Sequence, residues 1–214
     1  MTPEIQMILA SKSPARLATL RSAGVEPRVL VSGVDEDAVV AKAGPLPAAE
    51  VPLLLAQAKA EAVAAQWWEC EVADRPHADV LLGCDSMLEL DGDVWGKPED
   101  AAAARDRWRS MRGRSGILHS GHWLIDLRDS SVGRGATAST IVHFSDISDA
   151  EIDAYVATGE PLWVAGGFTV DGLGGPFVTG IEGDFHNVVG VSLPVLRSML
   201  GDLGIAWHQL RTAN

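Results

Sequence analysis

The sequence predicts an α/β protein built on a mixed sheet, and three observations carry that expectation. Short apolar runs of strand length alternate with longer stretches of helical period along the 214 residues. The pair Asp91-Gly92 stands between two short strand-like runs and marks a hairpin, which breaks the strict βαβ rhythm of a doubly wound sheet. A hydrophobic content of 47%, without internal repeat or low-complexity linker, suits one domain spanning residues 1–214.

In order, Gln6–Ala10 reads as a short buried strand and Pro14–Ala23 as a helix closed by Gly24. Arg28–Ser32 reads as a strand that runs into an acidic turn, Val34-Asp35-Glu36-Asp37. Ala48–Trp68 has the length of a long helix, and Asp79–Cys84 the apolarity of a buried strand. Met87–Leu90 and Asp93–Trp95 form the hairpin arms, and Pro98 leads into a helix over Glu99–Met111. His122–Leu127 and Thr140–Phe144 read as strands joined by a loop around Gly133 and Gly135. Ser148 is a candidate cap for a helix over Asp149–Thr158. Two Gly-rich strands are expected over Phe168–Val170 and Phe177–Ile181, and a last helix over Leu193–Leu203. Ala43–Pro47 and Arg128–Ala136 read as loops inside the domain.

Composition narrows the function. The formal net charge of −12 argues against a nucleic-acid polymer as partner, because two polyanions would have to meet. A small anion remains open to this chain if a few of its 17 basic residues gather at one place. No apolar stretch approaches the roughly 20 residues of a membrane span. The first ten residues do not read as a signal peptide, so a cytoplasmic protein is expected. Cys70 and Cys84 lack a CxxC partner and read as ordinary thiols.

Five segments carry candidate chemistry. In Ser11-Lys12-Ser13-Pro14-Ala15-Arg16 a strand delivers the chain to a helix N-terminus, with Ser13 as cap and Pro14 at the first helical position. Arg16 in that first turn opposes the helix dipole, and an anion shared by both would favour it there. From spacing alone, a capped surface helix with an incidental arginine is the plainer reading. Lys59 lies on the apolar stripe between Leu55 and Val63, either snorkelling to water or aimed into a cleft. Asp85 ends a buried strand, where an acid serves as metal ligand, general base, turn or cap. Glu36 in the acidic turn would complete a hard oxygen site, since Mg²⁺ takes one or two carboxylates plus phosphate oxygens; Asp35 and Asp37 are equally acidic, and a solvated loop is the plainer reading of the cluster. Gly96-Lys97-Pro98 puts Lys97 in an extended segment and is no P-loop. The run Ala165–Gly175 holds glycines that allow close backbone approach or tight turns. His119-x-x-His122 lies on an apparent strand and is assigned no metal.

In this order and spacing, with Asn187-Val188-Val189-Gly190-Val191-Ser192-Leu193-Pro194 completing the pattern, the segments resemble the Maf family of nucleoside triphosphate pyrophosphatases. The resemblance runs from Ile8 to about Leu203. It implies an elongated domain of two lobes around a cleft, often dimeric. It also implies metal-dependent hydrolysis between the α- and β-phosphates, giving a monophosphate and pyrophosphate. Asp85 would be the acid–base residue and a metal-associated carboxylate, with Glu36 helping to hold Mg²⁺ or Mn²⁺. Ser11, Ser13, Arg16, Lys59 and Lys97 would grip the triphosphate.

Three departures bear on substrate choice. Ala15 stands where many members of that family have a second arginine, and Ser86 where threonine is frequent. Asp171 stands where members preferring thymine or uracil nucleotides have glutamine. A carboxylate only accepts, which suits the N1–H and N2–H₂ donors of a guanine-type base, plain or methylated; capping of the following turn is the structural alternative. Two other functions fit the same residues: a non-catalytic nucleotide-binding regulator of cell division, and a phosphatase for another phosphorylated metabolite. Clearance of non-standard nucleotides is the expected use of an active enzyme.

Overall fold

The computed structural model describes residues 4–129 and 133–211. Among these residues seven strands form one mixed sheet: β1 (Met7–Ala10), β2 (Arg28–Val29), β3 (Val80–Leu90), β4 (Asp93–Trp95), β5 (Ser115–Asp126), β6 (Arg134–Phe144) and β7 (Val178–Glu182). The order is β2-β1-β3-β5-β6-β7, with β4 on β3. Only β1 pairs in parallel, with β2 and with β3; the other pairs are antiparallel. Among the described residues seven α-helices flank the sheet: α1 (Pro14–Ser22), α2 (Glu36–Ala43), α3 (Val51–Glu69), α4 (Ala101–Met111), α5 (Asp149–Ala157), α6 (Phe185–Val189) and α7 (Leu193–Asp202). Among the described residues no helix is long and apolar enough to cross a membrane.

The edge of β3 is shared unevenly, and this opens the site. One edge pairs with β5 from Val80 to Glu89. The other is paired by β1 over Val80–Gly83 and by β4 over Leu88–Leu90. Residues 84–87 of that second edge therefore face neither strand. Side chains alternate across a strand, so Leu82 and Cys84 enter a core with Leu196 and Leu200 of α7, while Leu88 and Leu90 enter a second with Trp108 and Phe144. Ser86 stands between these two cores. On the other face Leu81 joins Ile8, Ala60 and Val63 in a third core under α3.

Two glycines set how closely α3 lies on that face. A Cβ on Gly83 would stand 2.2 Å from the Ala56 carbonyl oxygen, and one on Gly121 would stand 2.3 Å from the Pro52 carbonyl oxygen. Helix backbone thus rests directly on strand backbone, and Lys59, one position before the buried Ala60, is lowered towards β3.

Several expectations need correction. The acidic segment is no turn: Asp35 caps α2 through its side chain, and Glu36 and Asp37 sit in the first turn, where acids complement the dipole. That helix buries none of its residues, so it lacks the apolar stripe that announces one. The expected strand Asp79–Cys84 and hairpin arm Met87–Leu90 are one strand, and Asp85 lies inside it rather than at its end. His122–Leu127 and Thr140–Phe144 are only the distal parts of β5 and β6. Arg134–Ala136, expected as loop, belongs to β6; residues 130–132 of that segment lie outside the described residues. Strand β2 is cut to two residues, and the expected Phe177 start of β7 is a 3₁₀ turn. Phe168–Val170 is not a strand, because Gly166 and Gly167 both have positive φ and the segment bonds to side chains instead of a neighbouring strand.

Candidate active site

The β1–α1 turn forms as its residues suggest. Pro14 opens α1 and Ser13 caps it, its hydroxyl accepting from the Arg16 N–H at 3.5 Å. The Ser11 hydroxyl, 8% exposed, accepts from the Ser13 N–H at 3.2 Å and from Arg16 Nη1 at 3.0 Å. This turn sits where β1 ends beside Gly83, at one side of the unpaired edge of β3.

Arg16 does not project from the turn as expected. It is 9% exposed and lies in the gap between β1 and β4. Nη1 donates to the Cys84 carbonyl at 2.8 Å, taking up an acceptor on the edge that no strand covers. Nε donates to the Gly190 carbonyl at 2.8 Å and Nη2 to the Ser86 hydroxyl at 3.0 Å. Four of the five guanidinium N–H groups are thus used inside the protein, and the fifth has no hydrogen bond among the described residues. Gly190 has a φ of 131°, and a Cβ there would lie 3.4 Å from Arg16 Cγ and Nε, so glycine serves both the turn and the approach.

On the α3 face, Lys59 bridges two carboxylates. Its Nζ lies 2.5 Å from Asp85 Oδ1 and 2.9 Å from Glu36 Oε1. The Lys59 and Asp85 side chains are 12% and 9% exposed, whereas Glu36 at 49% stands at the rim. Burial pushes the Asp85 carboxyl above the usual carboxylate range; Lys59 and Arg16 draw it partly back, and Glu36 adds to the rise. The group therefore keeps affinity for a proton while held among cations, which is what a base for water requires.

The remaining expected residues lie around this centre. Lys97 is exposed on the bend after β4, its segment anchored by the Gly96 carbonyl, which accepts from Arg107 Nη1 at 2.6 Å and from the Gly166 N–H at 3.0 Å. Asp171 touches neither Lys59 nor Asp85. It is exposed and lines a hollow of about 290 Å³ with Thr19 and Ser22 of α1 and Phe185, His186 and Val189 of α6. His119 and His122 are divided by the sheet. The His119 ring bonds Glu89 at 2.7 Å and Ser139 at 2.8 Å, whereas His122 Nε2 accepts from the Ser192 N–H at 2.9 Å on the opposite face.

Two further features were not legible in the sequence. Ser86 is bonded to Ser120 at 2.7 Å, and Ser120 to the Asn187 carbonyl at 3.2 Å, all fully or nearly buried. Glu160 organises the Gly-rich segment: its carboxylate accepts from Thr169 Oγ1 at 2.6 Å, Tyr155 Oη at 2.8 Å, and the N–H groups of Leu173 at 3.0 Å and Gly174 at 3.1 Å. An acid in a loop and serines in a strand carry no spacing signal of their own; only the Asn187–Pro194 segment stood out in the sequence.

A divalent cation fits the donor set. Glu36 and Asp85 converge on one ammonium, so a position between them already favours positive charge, and both are hard oxygen donors. Among the described residues no group of three or more His, Cys, Asp or Glu could hold a metal alone. A cation here would need oxygens from a substrate, the usual arrangement for Mg²⁺ with phosphates.

Known proteins resemble this chain over nearly its whole length. The family model described as Maf-like protein matches residues 6–203. A nucleoside triphosphate pyrophosphatase of Streptomyces coelicolor is 53% identical over 210 residues, covering 97% of this chain and 95% of that protein. One from Salinispora tropica is 54% identical over 206 residues, covering 94% and 85%. One from Mycobacterium ulcerans is 48% identical over 215 residues, covering 98% of each.

Proposed function

The chain belongs to the Maf-like protein family, and from that premise we propose that it is a nucleoside triphosphate pyrophosphatase acting beside the unpaired edge of β3. The observation that supports this best is the Lys59 ammonium held by Asp85 and Glu36, with Arg16 of α1 bonded to Cys84 and Ser86 on either side of Asp85. Phosphoryl chemistry asks for charge neutralisation and an oriented water rather than a covalent nucleophile.

In this reading the triphosphate lies against the α1 N-terminus, gripped by the Ser11 and Ser13 hydroxyls, Lys59 and Lys97. Arg16 offers it one N–H and otherwise acts as a fixed positive charge. Asp85 takes a proton from the attacking water, and the bond between the α- and β-phosphates breaks to give monophosphate and pyrophosphate. Glu36 and Asp85 would hold a Mg²⁺ or Mn²⁺ ion, which would screen the phosphates and lower the pKa of bound water.

We assign the base to the hollow beside α1. Thr19 and Ser22 lie three to nine residues beyond Ser13–Arg16, about 5–14 Å along the axis at 1.5 Å per residue. The walls combine an aromatic ring, Phe185, with the Asp171 carboxylate and the two hydroxyls. An acceptor-only carboxylate favours a guanine-type base, standard or modified, and removal of non-standard nucleotides is the use we propose. A panel of nucleotides assayed separately for phosphate and pyrophosphate tests the reading. Pyrophosphate from guanine nucleotides is expected. Phosphate alone would point to a different phosphatase, no turnover with Mg²⁺ or Mn²⁺ to a nucleotide-binding regulator, and selective cleavage of dTTP and UTP would remove the guanine preference.

A further inference from the structure

The hydroxyl hydrogens behind Arg16 have one consistent direction. Ser120, fully buried, bonds the Asn187 carbonyl at 3.2 Å, and a carbonyl only accepts, so Ser120 is the donor there. In its 2.7 Å contact with Ser86 it must then accept, which makes Ser86 the donor. The Ser86 oxygen in turn accepts from Arg16 Nη2. The chain runs Arg16 to Ser86 to Ser120 to Asn187, with each hydroxyl donating once and accepting once. Asn187 is itself fixed to the sheet, its Nδ2 donating to the Leu118 carbonyl at 3.1 Å and the Ala138 carbonyl at 3.3 Å. The Arg16 Nε ends on Gly190, which closes the same helix, α6. Both arms of the guanidinium are therefore referred to α6 and, through it, to β5 and β6.

We infer that Ser120 is a positioning residue for the reaction at Asp85: acting through Ser86, it holds the Arg16 guanidinium at the unpaired edge of β3, beside the carboxylate that serves as base. The inference rests on the proposed reaction. The charged groups facing Asp85 come from three elements, Arg16 from α1, Glu36 from α2 and Lys59 from α3. Of these, only Arg16 is tied to the serine chain. Without Ser120 the Ser86 hydroxyl loses its buried acceptor and turns towards another, so the guanidinium loses the oxygen it was bonded to. Lys59 and Glu36 keep their places, and the substrate's main phosphate contacts remain.

The test measures kcat and KM for pyrophosphate release by the full chain for wild type, Ser120→Ala, Ser86→Ala and the double variant. Ser120→Ala should lower kcat about tenfold, the worth of one buried hydrogen bond left unmade, with KM changed less than about twofold. The double variant should be no worse than Ser86→Ala, since Ser120 acts only through Ser86. Ser86→Thr, which keeps the hydroxyl, should restore the rate relative to Ser86→Ala. Additive losses, or a change confined to KM, would overturn the inference. Should Ser120→Ala fail to fold, a Ser86→Ala kcat equal to that of Ser86→Thr overturns it equally. A wild type that releases no pyrophosphate from any nucleotide sinks the underlying reaction, and this inference with it.

Discussion

Replacing Lys59 with methionine removes a charge while nearly keeping length, and its consequences can be worked from three side chains. Lys59 lies between Leu55 and Val63, both fully buried, so a methionine packs on the same stripe. What it leaves is Asp85, 9% exposed, without the ammonium 2.5 Å away. Breaking a buried pair by removing one partner costs about 3–5 kcal/mol, a large part of a typical domain's 5–15 kcal/mol. The sign follows from Asp85. Burial, opposed by Lys59 and Arg16, already raises its folded pKa, so ionising it in the folded state costs stability as pH rises past the ordinary carboxylate range. Loss of Lys59 lifts that pKa further. Between the two folded values the variant should lose stability relative to wild type by about 1.4 kcal/mol per pH unit. Urea unfolding at pH 4 and pH 8 reads this directly. Lys59→Met should cost little at pH 4 and the full amount at pH 8, and Lys59→Met/Asp85→Asn should recover most of it. A penalty equal at both pH values, unrelieved by Asp85→Asn, would refute the buried pair as the centre of the site.

Two other perturbations test the scaffold. Gly83→Ala puts a methyl 2.2 Å from the Ala56 carbonyl, backbone against backbone, so α3 must lift; about 1–3 kcal/mol of stability should go, and kcat should fall further as Lys59 leaves Asp85, whereas a fully active variant would show that α3 need not lie so close. Glu160→Gln weakens a carboxylate that accepts four hydrogen bonds; burial alone would raise its pKa, but the bonds from Thr169, the Leu173 N–H, Tyr155 and the Gly174 N–H bring it below the usual range. Its contribution is therefore present near neutrality and lost as pH falls through that lowered value, so the variant should be about 1–3 kcal/mol less stable at pH 7 and nearer to wild type in acid. Selectivity between bases should relax with it, because Asp171 lies in the segment Glu160 holds; unchanged selectivity would separate Asp171 from base recognition.

How much of this was written in the sequence depends on what kind of signal each residue carries. The α1 turn was legible because Ser13, Pro14 and the preceding apolar run each act locally. Lys59 was legible as an oddity, a cation on an apolar stripe, but not as a partner of Asp85, since that needed the glycines of β3 and β5 to bring the helix down. Asp85 and Ser86 made β3 look broken into two runs. Polar residues can sit inside a strand when their partners come from other elements, here Lys59, Arg16 and Ser120, and periodicity cannot report those. The sequence marks Glu36 as an acid near the site but hides its helix, because α2 buries nothing and is made by its cap and its acidic first turn. Arg16 shows the limit most clearly. Its position in the first turn suggested an outward cation, while four hydrogen bonds to partners up to 174 residues away turn it inward. Asp171 stands out in the sequence only by its place in a pattern, and its hollow beside α1 depends on how α6 packs, which no local signal describes.

Asp85 is the base in the proposed reaction that releases pyrophosphate. Its most direct test compares wild type with Asp85→Asn on a guanine nucleoside triphosphate, detecting pyrophosphate at fixed Mg²⁺ while binding of the same nucleotide is measured in parallel. Asparagine keeps the shape and loses the proton-accepting charge, so turnover should fall by about 10²–10⁴-fold while binding persists. Pyrophosphate release by the variant at the wild-type rate would contradict that role for Asp85.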